Sequence, residues 1–180
     1  MYGFGTTSFL AELRGLNDFG FDGFDMGFGF QFYISDDMAF KLAIGIANQK
    51  IKSYDVDIDK VYDNLQTYTA YFRYNLSHSK NVFGYIAPFY RFTNIDRYKE
   101  WVDGFTTGKN SKYHSLGFVL GAEWFAFHNF SIGADYAVDY TMSESVNYMG
   151  RNVITELDDS SYSSALLGSK LNFVLSFYFN

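Results

Sequence analysis

Residues 22–47, DGFDMGFGFQFYISDDMAFKLAIGIA, place a large apolar side chain at every second position on both sides of a short Ser-Asp-Asp turn. Phe24, Met26, Phe28, Phe30, Phe32 and Ile34 share one parity, and Asp25, Gly27, Gly29, Gln31 and Tyr33 share the other. A period of two belongs to a β-strand with one apolar face and one small or polar face. The alternation recurs at 5–14, 24–34, 39–48, 67–76, 82–93, 113–125, 130–140 and 166–179, which predicts eight strands. In the fifth, both parities are apolar and only Arg91 marks a polar side. That strand also holds the sole proline, Pro88, which removes a ladder hydrogen bond and is expected at an edge or a bulge.

The connections alternate in length. Ser35 to Asp37, Ser77 to Asn81 and Ala126 to Asn129 are tight turns, whereas 15–23, 49–66, 94–112 and 141–165 are mostly long, polar and charged. One end of the predicted sheet therefore has short turns and the other carries loops.

The fold depends on which parity faces inward. Aromatic residues make up 22% of the chain, with 21 Phe and 16 Tyr, more than a soluble core of this size requires. An eight-stranded barrel has an interior only just wide enough for side chains to fill, too narrow for all the bulky residues of the apolar parity. With the apolar parity turned to lipid and glycine, alanine, serine and a few ionised groups in the lumen, the same strands fit. The expectation is an all-β fold, an eight-stranded antiparallel up-and-down transmembrane β-barrel forming a single domain over residues 1–180. Phe24, Phe28, Phe30, Leu42, Ile44, Phe72, Phe118, Leu120, Ile132, Phe173, Leu175 and Phe177 are expected to face lipid. Tyr68, Tyr136 and Tyr140 on the loop side, and Phe32, Phe40, Trp124 and Phe130 on the turn side, suit interfacial girdles. Glu12, Arg14, Asp25, Gln31, Lys41, Arg73, Arg91, Glu123, Asp135, Asp139 and Lys170 are expected to form a lumen polar network. Charges in so narrow a space must pair, since an isolated one bears a large desolvation cost. The prediction is a polar plug rather than an open pore.

Composition narrows the picture further. Without cysteine there is neither a disulfide framework nor a thiolate site. A formal charge of −6 and the lack of a basic stripe argue against nucleic acid as a partner. No run of apolar residues is long enough for a transmembrane helix, and the start MYGFGTTSFLAELRG lacks the features of a signal peptide. A mature exported chain is the expectation. No cofactor and no metal site is expected.

On these strands the chain resembles the small eight-stranded outer-membrane barrels of Gram-negative bacteria, the OmpA transmembrane domain and OmpX group. Its last residues, LNFVLSFYFN, look like the terminal assembly signal of such proteins, with Leu171, Phe173, Leu175, Phe177 and Phe179 alternating. Those proteins usually finish on the aromatic, whereas Asn180 follows Phe179 here. The stretch GFGTTSFLAELRGLNDFG is also similar to small barrels of the Bacteroidetes type. The resemblance implies an outer-membrane location, lipid and lipopolysaccharide as surroundings, the barrel-assembly machinery as a partner during insertion, and a structural or partner-binding role for the loops.

Some relatives modify lipid A, which makes the histidines candidate catalysts. His78 and His128 fall in tight turns, and His114 lies at the loop end of strand six near Ser111 and Ser115. Neighbouring strand residues point to opposite faces, no His-x-Ser occurs, and Asp103 with Ser111 only loosely imitates a loop triad. The expectation is a non-enzymatic protein. The alternatives are a lipid A-modifying enzyme or a soluble lipocalin-like barrel. Asp55, Asp57 and Asp59 resemble the start of a calcium loop, but Lys60 and Gln66 stand where Gly and Glu are required. This segment reads as a strand extending beyond the membrane. Residues 145–157 read as a hairpin about Gly150 and Arg151, whose edge could accept a partner strand. Trp101 with Tyr98 and Phe105 is a candidate contact patch.

Overall fold

The computed structural model describes residues 7–15, 24–52, 58–78, 81–101, 105–127, 129–151, 155–158 and 164–179, some of them by backbone only. Among these residues the chain forms β1 (Thr7–Gly15), β2 (Phe24–Tyr33), β3 (Met38–Lys52), β4 (Ile58–His78) and β5 (Val82–Trp101). It continues as β6 (Phe105–Phe127), β7 (Phe130–Arg151), the short β8 (Thr155–Asp158) and β9 (Ser164–Phe179). Successive strands pair antiparallel from β1 to β7, β7 pairs with β9, and β9 pairs with β1. The ring closes on eight strands, and β8 stands outside it as a hairpin arm on the upper part of β7.

The stagger of the ring follows from its ladder partners. Ser176 pairs with Leu10, and the chain of partners runs on through Gly29, Ala43, Thr69, Arg91, Ser115 and Thr141 to Leu166. One circuit thus returns to β9 ten residues from its start. At about 3.3 Å per residue and about 4.8 Å between strands, that shear tilts the strands by about 40° and sets a backbone radius of about 8 Å. Such a cylinder holds side chains and little else.

The turn between β2 and β3 is closed by Ile34 N–H donating to the Met38 carbonyl at 2.8 Å, while Ser35 Oγ accepts from the Met38 amide at 3.1 Å. The loop side differs from the expected long loops. β3 to β7 continue as strands well past the apolar belt, so that the β4–β5 ladder runs up to Ile58 opposite Trp101 and the β6–β7 ladder up to Phe105 opposite Arg151. Most of 58–66, 94–101, 105–112 and 141–151 is therefore a protruding sheet. The reading of 59–66 as a strand agrees with β4, Asp55 and Asp57 lie outside the described residues, and β7 pairs with β8 from Asn147 to Met149, with Gly150 and Arg151 still part of β7.

Pro88 stands in mid-strand, neither at an edge nor at a bulge. It remains opposite Phe118 on β6, but on its other side the β4 ladder stops at Tyr71–Phe89 and resumes in the same register at Tyr74–Ile86. A closed ring has no edge to receive a proline, so the missing N–H appears as a gap between β4 and β5.

Candidate functional site

Alternation divides the barrel wall into two surfaces. Phe28, Phe30, Leu42, Ile44, Phe72, Phe118, Leu120, Ile132, Phe173 and Phe177 are all exposed, Phe118 by 61%, and Leu175 is half-buried. The side chains of Phe24 and Phe179 lie outside the described ones, while Leu171 is exposed. On β6 the outward apolar run from Leu116 to Trp124 spans about 20 Å along the axis at this tilt, close to the height of about 25 Å of an outer-membrane barrel's apolar band. Trp124, Phe32 and Phe40 border the turn end, with Phe130 partly buried against Phe177 at 5.1 Å between rings, and Tyr68 and Tyr140 lie toward the long-strand end. Tyr136 is a correction: it stands opposite Leu120, midway along the outward run from Leu116 to Trp124, within the belt rather than in a girdle.

The other parity fills the interior. Gln31, Lys41, Arg73, Arg91, Glu123, Asp135 and Asp139 are all buried. Glu123 is their hub near the turn end. Arg73 Nη1 donates to its Oε2 at 2.5 Å, and Tyr178 Oη and Ser131 Oγ both donate to Oε1. Asn75 Oδ1 accepts from Arg73 Nε at 2.8 Å, which holds the guanidinium in place. A level higher, Tyr85 Oη donates to Asp135 Oδ2 at 3.1 Å, and still higher Arg91 Nη1 donates to Asp139 Oδ2 at 3.3 Å. For four members of the expected network, Glu12, Arg14, Asp25 and Lys170, the side chains lie outside the described ones, and the backbone register sets Arg14 opposite Asp25.

The lumen also holds aromatic rings that the polar reading of this parity overlooked. Lys41 Nζ sits 4.6 Å from the centre of Tyr71, the Arg73 guanidinium 4.1 Å from Tyr85, and that of Arg91 4.8 Å from Phe89. Each ring gives a buried cation a π face. Tyr33, Phe125 and Tyr178 form a second aromatic group at the turn end. The signal lay in parity: Tyr71 lies between Thr69 and Arg73, and Tyr85 and Phe89 share the side of Arg91. Gly121 has the reason for its size here, since a Cβ on it would meet the Tyr85 ring at 2.4 Å. A cavity of about 20 Å³ lies between these layers among Gln31, Lys41, Arg73, Glu123 and Asp135.

His114 faces outward from β6, where its Nδ1 lies 2.8 Å from Tyr90 Oη and its ring 5.1 Å from that of Phe92. Ser115 and Ser111 face the other way and bond Thr141 at 2.6 Å and Ser145 at 3.1 Å. Asp103, His128 and the side chain of His78 lie outside what is described. Among the described residues no group of three or more His, Asp or Glu is placed to hold a metal ion. In the protruding sheet, Arg97 grips Asp63 with Nε and Nη2 at 2.7 and 3.0 Å, and these bonds raise the guanidinium pKa above its ordinary value. The candidate patch splits: Tyr98 stacks on Tyr62 at 4.6 Å on one face, Trp101 lies on the other, and the Phe105 side chain is outside the described ones.

An apolar outer belt, a polar interior and a ring closed on eight up-and-down strands define a transmembrane β-barrel of the outer-membrane type. No family model and no curated protein sequence matches the chain. Its fold is shared by solved outer-membrane barrels. A major outer membrane protein from Thermus thermophilus is 14% identical, with a TM-score of 0.61 over 96% of this chain and 99% of that one. Outer Membrane Protein W of E. coli is 12% identical, with a TM-score of 0.56 over 99% and 100%. The N-terminal β-barrel domain of Pseudomonas aeruginosa OprF is 14% identical, with a TM-score of 0.52 over 98% and 99%.

Proposed function

We propose that the chain is a non-enzymatic outer-membrane protein whose lumen is closed by its polar network and whose protruding sheet, on the external side, serves structural or partner-binding roles. The observation that carries this is the stack of buried pairs across the cylinder, Arg73 with Glu123, Tyr85 with Asp135 and Arg91 with Asp139, with a residual cavity of about 20 Å³. That volume is room for about one water. Lipid and lipopolysaccharide surround the apolar belt in this reading, and Leu171, Phe173, Leu175, Phe177 and Phe179 form the strand offered to the insertion machinery. Insertion into a planar bilayer without steady large currents is the expected result, and a stable open conductance would sink the plug. Labelling of intact cells tests the orientation, with reagent reaching a cysteine placed at Lys109 but not one placed at Asp36.

The alternative of a lipid-modifying enzyme needs a hydroxyl and an acid at His114. The ring has Tyr90 as its hydrogen-bond partner, and Ser111 and Ser115 lie on the other side of the wall. Lipid turnover lost on His114→Ala replacement would favour that alternative.

A further inference from the structure

Above the belt, the described side chains of β4 to β7 carry opposite charge on the two faces. Among the described side chains the outer face has Asp96, Glu100 and Glu144 against Lys112, while the inner face, continuous with the lumen, has Arg97, Lys99 and Lys109 against Asp63. One row across the inner face reads Asp63, Arg97, Lys109, Asn147. Arg97 stands directly opposite Lys109, a like-charge pairing that destabilises a sheet. Asp63 is buried against Arg97 and neutralises that cation. Lys99 is two residues farther along the same face, diagonal to Lys109 at about 7–8 Å. Lys99 and Lys109 are both exposed. Two residues beyond Lys99, the indole N–H of Trp101 donates to Thr107 Oγ1 at 3.2 Å, and Thr107 is itself the ladder partner of Lys99. The ring is thereby held beside the cations.

We infer that this inner face binds an anionic glycan, a saccharide chain carrying sulfate, phosphate or uronate groups. Surplus cations in a protein of net charge −6 collect where they repel one another, an arrangement that a polyanion relieves. The fixed indole offers a flat apolar face to the C–H side of a sugar ring, and Thr107 offers a hydroxyl beside it; an extended acidic peptide has no such rigid face. The saccharide comes from solution rather than from the surrounding leaflet, because the inner face looks over the barrel mouth while the described side chains of the outer face, which borders the lipid headgroups, are net negative.

The inference deepens the partner-binding role proposed above, and its test does not depend on orientation in the cell. Purified protein folded in detergent is titrated with a heparin-derived octasaccharide, with the heat of binding measured by calorimetry as readout. Saturable binding that weakens with salt, falls at least tenfold in Lys99→Ala/Lys109→Ala, falls in Trp101→Phe and stays within twofold in Lys112→Ala is the expected result. All variants should keep the heat-modifiable band of the folded barrel; if the double variant loses it, Lys99→Gln/Lys109→Gln repeats the measurement at the same neutral charge. No saturable binding, equal binding of the double variant, or equal affinity for poly-glutamate or uncharged dextran would overturn the inference.

Discussion

Arg73 and Arg97 each meet a carboxylate through a side chain of the inward parity, one at the turn end of the lumen and the other on the protruding sheet. The side chains of Arg73 and Glu123 are 6% and 4% exposed, whereas that of Arg97 is 45% exposed above a buried Asp63. Water can replace a lost partner in the second pair, whereas the first faces only a cavity with room for about one water. The deeper pair therefore belongs to the structure of the cylinder, and the shallower one positions a cation at a surface.

Substitutions that separate these two environments test the comparison. Glu123→Ala strands a buried guanidinium and should cost about 3–5 kcal/mol, read as a drop in the urea midpoint of the barrel folded into vesicles. A loss no larger than that of a surface substitution would show that water enters the lumen freely. Next in size, Leu120→Arg on the outer face at mid-belt should cost about 2–4 kcal/mol. Asn110→Arg, on the same strand and face but above the belt, should stay within about 0.5 kcal/mol. Similar costs at the two sites would mean that the belt boundary is misplaced. Gly121→Val drives a side chain into the Tyr85 ring and should cost about 1–3 kcal/mol while breaking the Tyr85–Asp135 bond, visible as altered tyrosine fluorescence. The smallest effect belongs to Asp63→Asn, which should cost about 0–1 kcal/mol because the guanidinium it frees is already half in water.

Eight strands were legible because a lipid exterior imposes a strict rule on one parity: Phe28, Leu42, Phe118 and Phe173 have to be apolar there. The other parity is ruled only by volume and pairing, so Tyr85, Ala87 and Phe89 fill the lumen as well as charges do, and β5 read as ambiguous. Above the belt both faces meet water and the contrast vanishes. Asp96, Tyr98 and Glu100 alternate with Arg97, Lys99 and Trp101 without any apolar period, and a strand looked like a loop. The buried acids and bases of the lumen could be named from parity, but their partners could not, since Arg73 and Glu123 are 50 residues apart and meet only through the stagger of the closed ring.

The first and last staves of that ring are neighbours, with Thr7 opposite Phe179 at one end of their ladder. Circular order around the wall is thus independent of where the polypeptide is cut. A permuted chain that bridges this seam with a short linker and opens instead at Asp36, in the turn after β2, keeps every cross-strand partner it has now.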